Sequence, residues 1–423
     1  MNPFNLPQNN KKRVVIVGAG FAGLKLARCL AASKYQVVLI DKNNFHQFQP
    51  LFYQVATSGI EPGSISFPVR KIFQKHANLH FRNTALKQIN PANKQIETTN
   101  GPLLYDYLVL APGVGNNYFN SESIEKYGLP MKSTAEAIYV RNRILGSFEK
   151  AILTQIKQEQ ASLMSVVIVG GGPTGVELSG AIAEMKNEVL YKDYPELDFS
   201  LMQIQLFEAG PRLLNGMSEK AGNDARNYLE RLGVQVHLNQ KIEDYDGEKV
   251  SLGSGTSLNC RNLIWTAGVR GFSLSGLPES VYARGNRIKV DAVNQVMNLP
   301  GVFAIGDCAY QTEEKYPDGH PQVAQVAIQQ AKHLAKNLKT EKWKAFSYRN
   351  KGSLATIGRN MAVADLPAMR LSGFVAWLLW LFVHLMSIVG VKNRLFVFIN
   401  WAQSYILRDQ SLRVIIKPFR KKN

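Results

Sequence analysis

The sequence predicts an α/β protein made of two parallel-sheet units of one construction, followed by a C-terminal region of different character. Three observations carry this. Residues 14–41 read as apolar strand, glycine turn, helix and second apolar strand, and the same order returns from Val166. The glycines of both turns share one spacing: Gly18, Gly20 and Gly23, then Gly170, Gly172 and Gly175. Residues 373–391 are the most hydrophobic stretch, and basic residues follow them.

In the first turn each glycine has its own reason. Gly18 permits a tight turn, Gly20 lets backbone approach a pyrophosphate, and Gly23 lets the helix pack close to the strand. The helix start adds unpaired N–H groups and a positive dipole end for phosphate, which brings Phe21 and Ala22 into the candidate site. The following strand, residues 37–40, ends at Asp41, placed to accept a hydrogen bond from a ribose hydroxyl, with Lys42 beside it. In the second copy, residues 166–169 form the strand and Pro173 and Thr174 open the helix. The acid is Glu208, delayed by the insertion at residues 187–200. A carboxylate there favours a free ribose 2′-hydroxyl and repels the extra phosphate of NADPH, so NADH is expected, although Arg212 is near.

The chain has 423 residues, enough for two or three domains. Its 50 Lys and Arg against 32 Asp and Glu leave a net charge of +18, which favours an anionic surface, either nucleic acid or lipid. Three separated cysteines, Cys29, Cys260 and Cys308, show no metal spacing and no redox pair, pointing to a reducing compartment. Cys29 is expected to be buried in the first helix. The first 13 residues lack the apolar core of a secretory signal.

Between the two fingerprints, residues 42–65 are aromatic-rich without clean periodicity and suit a loop covering a cofactor; His46 there reads as structural. Residues 80–113 read as a meander ending in the apolar strand 107–110, then Ala111 and Gly113, small residues that let a cofactor lie close. Residues 133–160 are helical in pattern. Glu177, placed in the first turn of the second fingerprint helix, either complements the helix dipole or faces and orients a nicotinamide or flavin. Residues 262–265 form another apolar strand ending in small residues, with Ala267 and Gly268 beside the nucleotide and Trp265 packing against its domain. The strand 302–305 ends in Gly306 and Asp307, where the carboxylate can reach the ribityl or pyrophosphate region of a flavin nucleotide. Residues 320–338 then read as a helix on which Gln325 and Gln329, four apart, share a face. Residues 346–365 look like strand, turn, strand, with Lys351 and Gly352 at the turn. Lys351 is either a solvated turn lysine or one side of a flavin pocket.

Residues 373–391 approach membrane-spanning length, contain His384 and Ser387, and carry no formal charge. Trp377 and Trp380 lie toward one end, Lys392 and Arg394 beyond the other. Residues 394–410 resume an apolar pattern, part of it compatible with extended chain because Phe396, Phe398 and Trp401 miss strict helical spacing. Trp401 and Tyr405 suit an interfacial belt. From Val391 onward Lys392, Arg394, Arg408, Arg413, Lys417, Arg420, Lys421 and Lys422 face only Asp409, which suits anionic lipid headgroups. Monotopic attachment is favoured over a single span and over core or dimer packing. Nucleic-acid binding is disfavoured, because no recognition motif or aromatic–basic interleaving accompanies the charge.

The segments GAGFAG, GGGPTGVEL, AIGDCA and AQVAIQ together make the chain resemble the type II NADH dehydrogenases, the non-proton-pumping NADH:quinone oxidoreductases, from about Lys11 to the tail. The resemblance implies a glutathione-reductase-like flavoprotein fold with two Rossmann-like dinucleotide-binding domains and a C-terminal membrane-attachment region. It implies non-covalent FAD, NAD as the second nucleotide, a homodimer, and attachment to one membrane face, here the cytoplasmic face of the cell inner membrane. Domain bounds of 1–115 and 286–345 for FAD, 116–285 for NADH and 346–423 for the membrane and dimer region follow. Carried onto this sequence, Gly18, Gly20, Gly23, Asp41 and Asp307 hold FAD, and Gly170, Gly172, Gly175 and Glu208 hold NADH. Glu177 lies near the nicotinamide–flavin contact, Gln325 and Gln329 on the quinone side of the flavin, and Lys351 near the flavin. The disulfide-reductase branch and sulfide:quinone oxidoreductase share the fold but need a cysteine pair that is missing here.

The expected reaction passes a hydride from NADH to flavin and two electrons to a membrane quinone, ubiquinone or menaquinone, in a respiratory chain. The flavin carries the redox chemistry while the protein orients and polarises. The amides of Gln325 and Gln329 would bond the quinone oxygens, and Glu177 is a candidate proton relay. The alternatives are a soluble NAD(P)H-dependent flavoprotein reductase with a protein or dye acceptor, and a nucleotide-binding module without turnover.

Overall fold

The computed structural model describes residues 4–410 and 412–416; Lys417, Arg420, Lys421 and Lys422 of the basic tail lie outside the described residues. The chain divides into two compact units, each assembled from separate stretches of sequence. One takes the residues up to His46, then Phe67–Gly115 and Val269–Asn350. The other takes Gln47–Ser66, Asn116–Gly268 and the chain from Lys351 onward.

The first unit is built on a five-stranded sheet in the order Val302–Ala304, Tyr107–Leu110, Arg13–Val17, Gln36–Asp41, Leu79–Asn83. Every pairing is parallel, with Val14 opposite Val37 on one side and Tyr107 on the other. Parallel strands are covered on both faces, which is why VVIV is apolar without alternation. Val14, Val15 and Ile16 are fully buried. The helix Phe21–Cys29 packs against the helix Ala324–Thr340 on this sheet. The predicted meander is present as Leu86–Asn90, Gln95–Thr98 and Gly101–Leu104, paired antiparallel.

The second unit repeats the plan in the order Leu129–Pro130, Asn262–Trp265, Val166–Val169, Ile204–Glu208, Val234–Leu238, again all parallel. In both sheets the fingerprint strand is central, with the acid-bearing strand on one side and the strand ending in small residues on the other. That is the crevice at which open α/β sheets bind ligands. Its core joins Val167, Val169, Phe207 and Trp265 to the hairpin residues Tyr245 and Val250. Trp265 is buried as a wall of this unit and donates its indole N–H to Asn117 O at 2.9 Å.

Four expectations change. The helix predicted over 133–160 breaks into Thr134–Ala151 and Lys157–Met164, each with its own start. Lys351 and Gly352 precede the hairpin Ser353–Gly358 and Met361–Asp365 instead of forming its turn. The turn falls at Arg359 and Asn360, where Asn360 takes φ +62°, a left-handed conformation that asparagine tolerates well. The region read as partly extended is one continuous helix, Val391–Leu407. Cys29 is half-buried at the end of its helix, while Cys260 and Cys308 are buried; all three are free thiols.

The hydrophobic stretch forms the helix Phe374–Ser387, 14 residues long. At 1.5 Å per residue it is roughly 21 Å, short of a hydrocarbon core of about 30 Å. Among the described residues no helix is long and apolar enough to cross a membrane. Both terminal helices nevertheless expose large apolar side chains, including Phe374, Val375, Phe382, Met386, Leu395, Phe398 and Ile406.

Candidate functional site

The two glycine turns have the geometry their spacing requires. Gly18 and Gly170 take φ of +101° and +108°. A side chain at Gly18 would strike Ala111 O, and one at Gly170 would strike Ala267. Gly23 and Gly175 pack so closely that a Cβ would sit 1.9 Å from Gly18 O and Gly170 O respectively. The middle glycines differ. A Cβ built on Gly20 or Gly172 meets nothing within 4 Å, so backbone there faces open space. Each of these two glycines caps its helix without a side-chain acceptor, and no acid stands in either first turn. Helix starts left without a side-chain cap and with open space at the capping glycine suit a phosphate. Ala22 is buried, Phe21 and Gly172 are half-buried, and Pro173 and Thr174 are exposed.

The strand-tip acids also correspond. Asp41 Oδ2 accepts the Ala19 N–H at 2.6 Å and Oδ1 accepts the Asn43 N–H at 2.7 Å. Glu208 Oε2 accepts the Gly171 N–H at 2.6 Å and Oε1 the Gly210 N–H at 2.7 Å. Each carboxylate thus fixes its own glycine turn and keeps further lone pairs for a hydroxyl donor. Burial raises the Asp41 pKa while the two N–H bonds oppose that rise. Lys42 is exposed next to it. Arg212 turns away from a phosphate-binding role, with its guanidinium bonded to Asn215 and Met217 O.

In the first unit, Gly306 sits between two helix starts. A Cβ there would lie 3.1 Å from Ala22 Cβ and 3.4 Å from Ala327 Cβ, and its N–H donates to Gln330 Oε1 at 2.7 Å. Asp307 follows, half-buried, its carbonyl bonded to Gln322 Nε2. Gly113 takes φ +72° with open space beside it. His46 is buried, its Nδ1 2.9 Å from Ala19 O. These features fit a dinucleotide laid along Gly20, Asp41, Gly113 and Asp307.

Gln325 and Gln329 face the same way on the Ala324–Thr340 helix, but their amides are used differently. Gln329 donates to Arg349 O at 2.9 Å and accepts the Arg349 N–H at 3.1 Å, so both ends of its amide hold the chain. Gln325 Oε1 lies 3.5 Å from the Tyr348 hydroxyl. Lys351 is exposed. Gly268, at φ +70°, lies against the Phe119 ring.

In the second unit, Glu177 is the fifth residue of the helix Pro173–Met185, beyond its first turn, so a dipole-complementing role is excluded by position. It is only 8% exposed. Burial pushes its pKa up to about 8, against the Thr356 backbone N–H and the Trp380 indole, which favour the carboxylate. The indole Nε1 is buried and has no partner at hydrogen-bond distance, so its effect on Glu177 is that of a nearby dipole. Trp380 stacks on His384 with ring centroids 4.0 Å apart and packs edge-on to Tyr53 at 6.4 Å. His384 Nδ1 lies 2.8 Å from Trp380 O, and burial lowers its pKa to about 4. Tyr53 is buried, with its hydroxyl accepting from Gln54, whose Oε1 accepts the Trp401 indole N–H at 2.8 Å. The nucleotide helix and both C-terminal helices therefore meet around one carboxylate.

Sequence reading missed Tyr53, Glu184, Thr356, Tyr348 and Arg349. Only Glu184 left a signal, standing seven residues from Glu177 on a helix of otherwise small and apolar residues.

The family model for pyridine nucleotide-disulphide oxidoreductases matches residues 12–331, and that for the NDH2 C-terminal domain matches residues 350–409. A type II NADH:quinone oxidoreductase of Mycobacterium tuberculosis is 33% identical over 94% of this chain and 88% of its own. NDH2 of Plasmodium falciparum, solved in complex with NADH, superposes with a TM-score of 0.88 at 23% identity, covering 96% of this chain and 100% of that one. A sulfide:quinone oxidoreductase of Aquifex aeolicus shares the fold at a TM-score of 0.71 and 17% identity, over 94% of this chain and 96% of that one.

Proposed function

The chain belongs to the type II NADH:quinone oxidoreductases, within the pyridine nucleotide-disulphide oxidoreductases, and from that premise we propose how its residues divide the work. It is an enzyme that passes a hydride from NADH by way of FAD to a membrane quinone, without pumping protons. When bound, FAD supplies the conversion between two-electron hydride chemistry and quinone reduction.

The first unit holds FAD: Gly20 and the start of its helix take the pyrophosphate, Asp41 a ribose hydroxyl, and Asp307 the polar chain leading to the ring. The second unit holds NADH: Gly172 and its helix start take the pyrophosphate and Glu208 the adenosine ribose. Ala267 and Gly268 line that nucleotide. A carboxylate already bonded to two N–H groups accepts a hydroxyl but repels a phosphate, so NADH is preferred to NADPH.

Glu177 holds a proton near neutral pH and releases it to the quinone oxygen. Gln325 orients the acceptor side of the ring, while Gln329 keeps the Arg349 strand in place. Lys351 adds positive charge where reduction builds negative charge. The exposed apolar faces of Phe374–Ser387 and Val391–Leu407 enter one leaflet, with Lys392 beside anionic headgroups, on the cytoplasmic face. A homodimer completes the proposal.

The observation that carries this reading is the buried Glu177, walled by Trp380 from a helix whose outer face is apolar and exposed. It joins a nucleotide helix to the membrane-facing helices inside one unit. The test is anaerobic titration of purified protein with NADH, followed by a short-chain quinone. Complete bleaching of a bound flavin and rapid return of its colour are expected. A protein without flavin, or a reduced flavin that ignores every quinone in detergent, would overturn the proposal.

A further inference from the structure

The Pro173–Met185 helix carries a second carboxylate whose surroundings repeat those of Glu177. Residues 177, 180, 184 and 188 fall on one face, and that face lies along the strand Ser353–Gly358. The approach is close because Gly180 has no side chain: a Cβ there would sit 1.6 Å from Ile357 O. Along this seam the Thr356 N–H favours the Glu177 carboxylate, and three residues on the Arg359 N–H donates to Glu184. Gly358 leaves room for the carboxylate, a Cβ there falling 2.8 Å from Glu184 Oε1.

Exposure rises along the face. Glu177 is buried, Glu184 is half-buried, and the side chain of Glu188 is 30% exposed in an ion pair with the Arg359 guanidinium at 3.0 Å. Tyr53 is buried on the short helix Phe52–Ala56, which packs against the Pro173–Met185 helix, and both carboxylates act on its hydroxyl electrostatically. Beyond Glu184 the helix widens into a π turn, Lys186–Leu190, which carries Glu188. Among the described residues, the charged or titratable groups bearing on this row are Tyr53, Arg359 with the Tyr405 ring 5.5 Å from its guanidinium and, behind Trp380, the neutral His384.

We propose that Glu184 is the middle station of a proton path running along this face, from the Glu188–Arg359 pair at the surface, past the Tyr53 hydroxyl, to Glu177. It rests on the quinone reading above and adds the source of the proton. NADH, one proton and a quinone give NAD+ and a quinol. The O–H bond of the Glu177 carboxyl breaks as an O–H bond to the quinone oxygen forms, and both electrons originate in the hydride. Solvent then reprotonates Glu177 through Glu184. Seven residues of helix rise roughly 10 Å, so the hydroxyl of Tyr53 and intervening water must bridge the carboxyls.

Glu184→Gln and Tyr53→Phe in the full-length flavin-loaded protein test this. Flavin reduction by NADH should stay within about twofold of wild type. Reoxidation by a short-chain quinone should slow by about 100-fold near neutral pH, the lower end of what lost acid–base assistance costs. Burial raises the Glu184 pKa to about 7, so in Glu184→Gln that ionisation should leave the pH profile of the step, and formate should restore the rate of Glu184→Ala. In infrared titration, Glu184→Gln should lose one protonated-carboxyl band. Unchanged reoxidation, equal slowing of both half-reactions, absence of rescue or an intact carboxyl band would each overturn the path. Failure of the wild-type protein to reduce any quinone would instead remove the function on which it rests.

Discussion

Gly180→Ala puts the seam between helix and strand to a quantitative test. The added methyl would start 1.6 Å from Ile357 O, and real Cβ atoms essentially never come closer than 3.0 Å to a neighbour. Helix and strand must therefore part by about 1.4 Å, the difference between those two distances. A hydrogen bond stretched by that much no longer meets the distance criterion. Glu184 would lose its Arg359 N–H, a bond worth about 0.5–1.5 kcal/mol to the protonated carboxyl and about 1.5–3 kcal/mol to the carboxylate, and Glu177 the influence of Thr356. Overpacking adds about 1–3 kcal/mol if the strand yields only in part. Against this, alanine improves helix propensity by about 1 kcal/mol. A net loss of about 2 kcal/mol is expected, which in a unit of this size lowers the melting temperature by about 4–8 °C. Gly146→Ala supplies the control: it lies inside the Thr134–Ala151 helix of the same unit, and its Cβ would meet nothing within 4 Å. That variant should gain stability. If Gly180→Ala melts at or above the wild-type temperature, as Gly146→Ala should, the close packing that brings the carboxylates to the strand is refuted.

Other outcomes follow from the same geometry. Glu177 binds its proton more tightly folded than unfolded, since burial raises its pKa from 4.5 to about 8. Its contribution to stability is fullest below about pH 4.5 and declines as the pH rises toward 8. His384, lowered from 6.5 to about 4, acts in the opposite sense below neutrality. The difference in urea midpoint between wild type and Glu177→Gln should therefore grow in favour of the variant from about pH 5 to 8; a constant difference would mean that Glu177 titrates normally. Glu208→Arg should raise the NADPH-to-NADH ratio of kcat/KM by about tenfold, or about 1.4 kcal/mol, and an unchanged ratio would remove Glu208 from the ribose site. Phe382→Asp alters a side chain that is 63% exposed on the Phe374–Ser387 helix. It should reduce sedimentation with anionic vesicles at least about tenfold without changing flavin reduction by NADH, whereas unaltered sedimentation would place the membrane face elsewhere.

The features legible in the sequence were those fixed by neighbours along the chain. Glycine spacing, apolar runs and terminal acids are local requirements of one strand–turn–helix–strand unit, so both sheets and the places of Gly20, Gly172, Asp41 and Glu208 in them could be read directly, while the N–H bonds by which the two acids fix their own glycine turns could not. The errors arose where distant residues decide the outcome. Whether Phe396 and Phe398 belong to a helix depends on which faces are covered. Asn393 is held by the carbonyls of Gly63 and Ser64, and Val397 is fully buried, while Leu395, Phe396 and Phe398 remain exposed. A helix with aromatics on its outer face looks irregular when every apolar residue is assumed to point inward. The surroundings of Glu177 were illegible for the same reason, since Tyr53, Thr356 and Trp380 arrive from remote stretches of chain. Yet the helix itself held an unread signal. In PTGVELSGAIAEM the two glutamates are the only charges, seven residues apart, with Gly180 between them on the same face. An isolated carboxylate on a buried helix asks for one compensating donor, but two in register with a glycine ask for a backbone that runs alongside and donates to both. Ser353–Gly358, continued by Arg359, meets that demand. The spacing of Glu177, Gly180 and Glu184 thus specifies how the nucleotide unit receives its C-terminal hairpin.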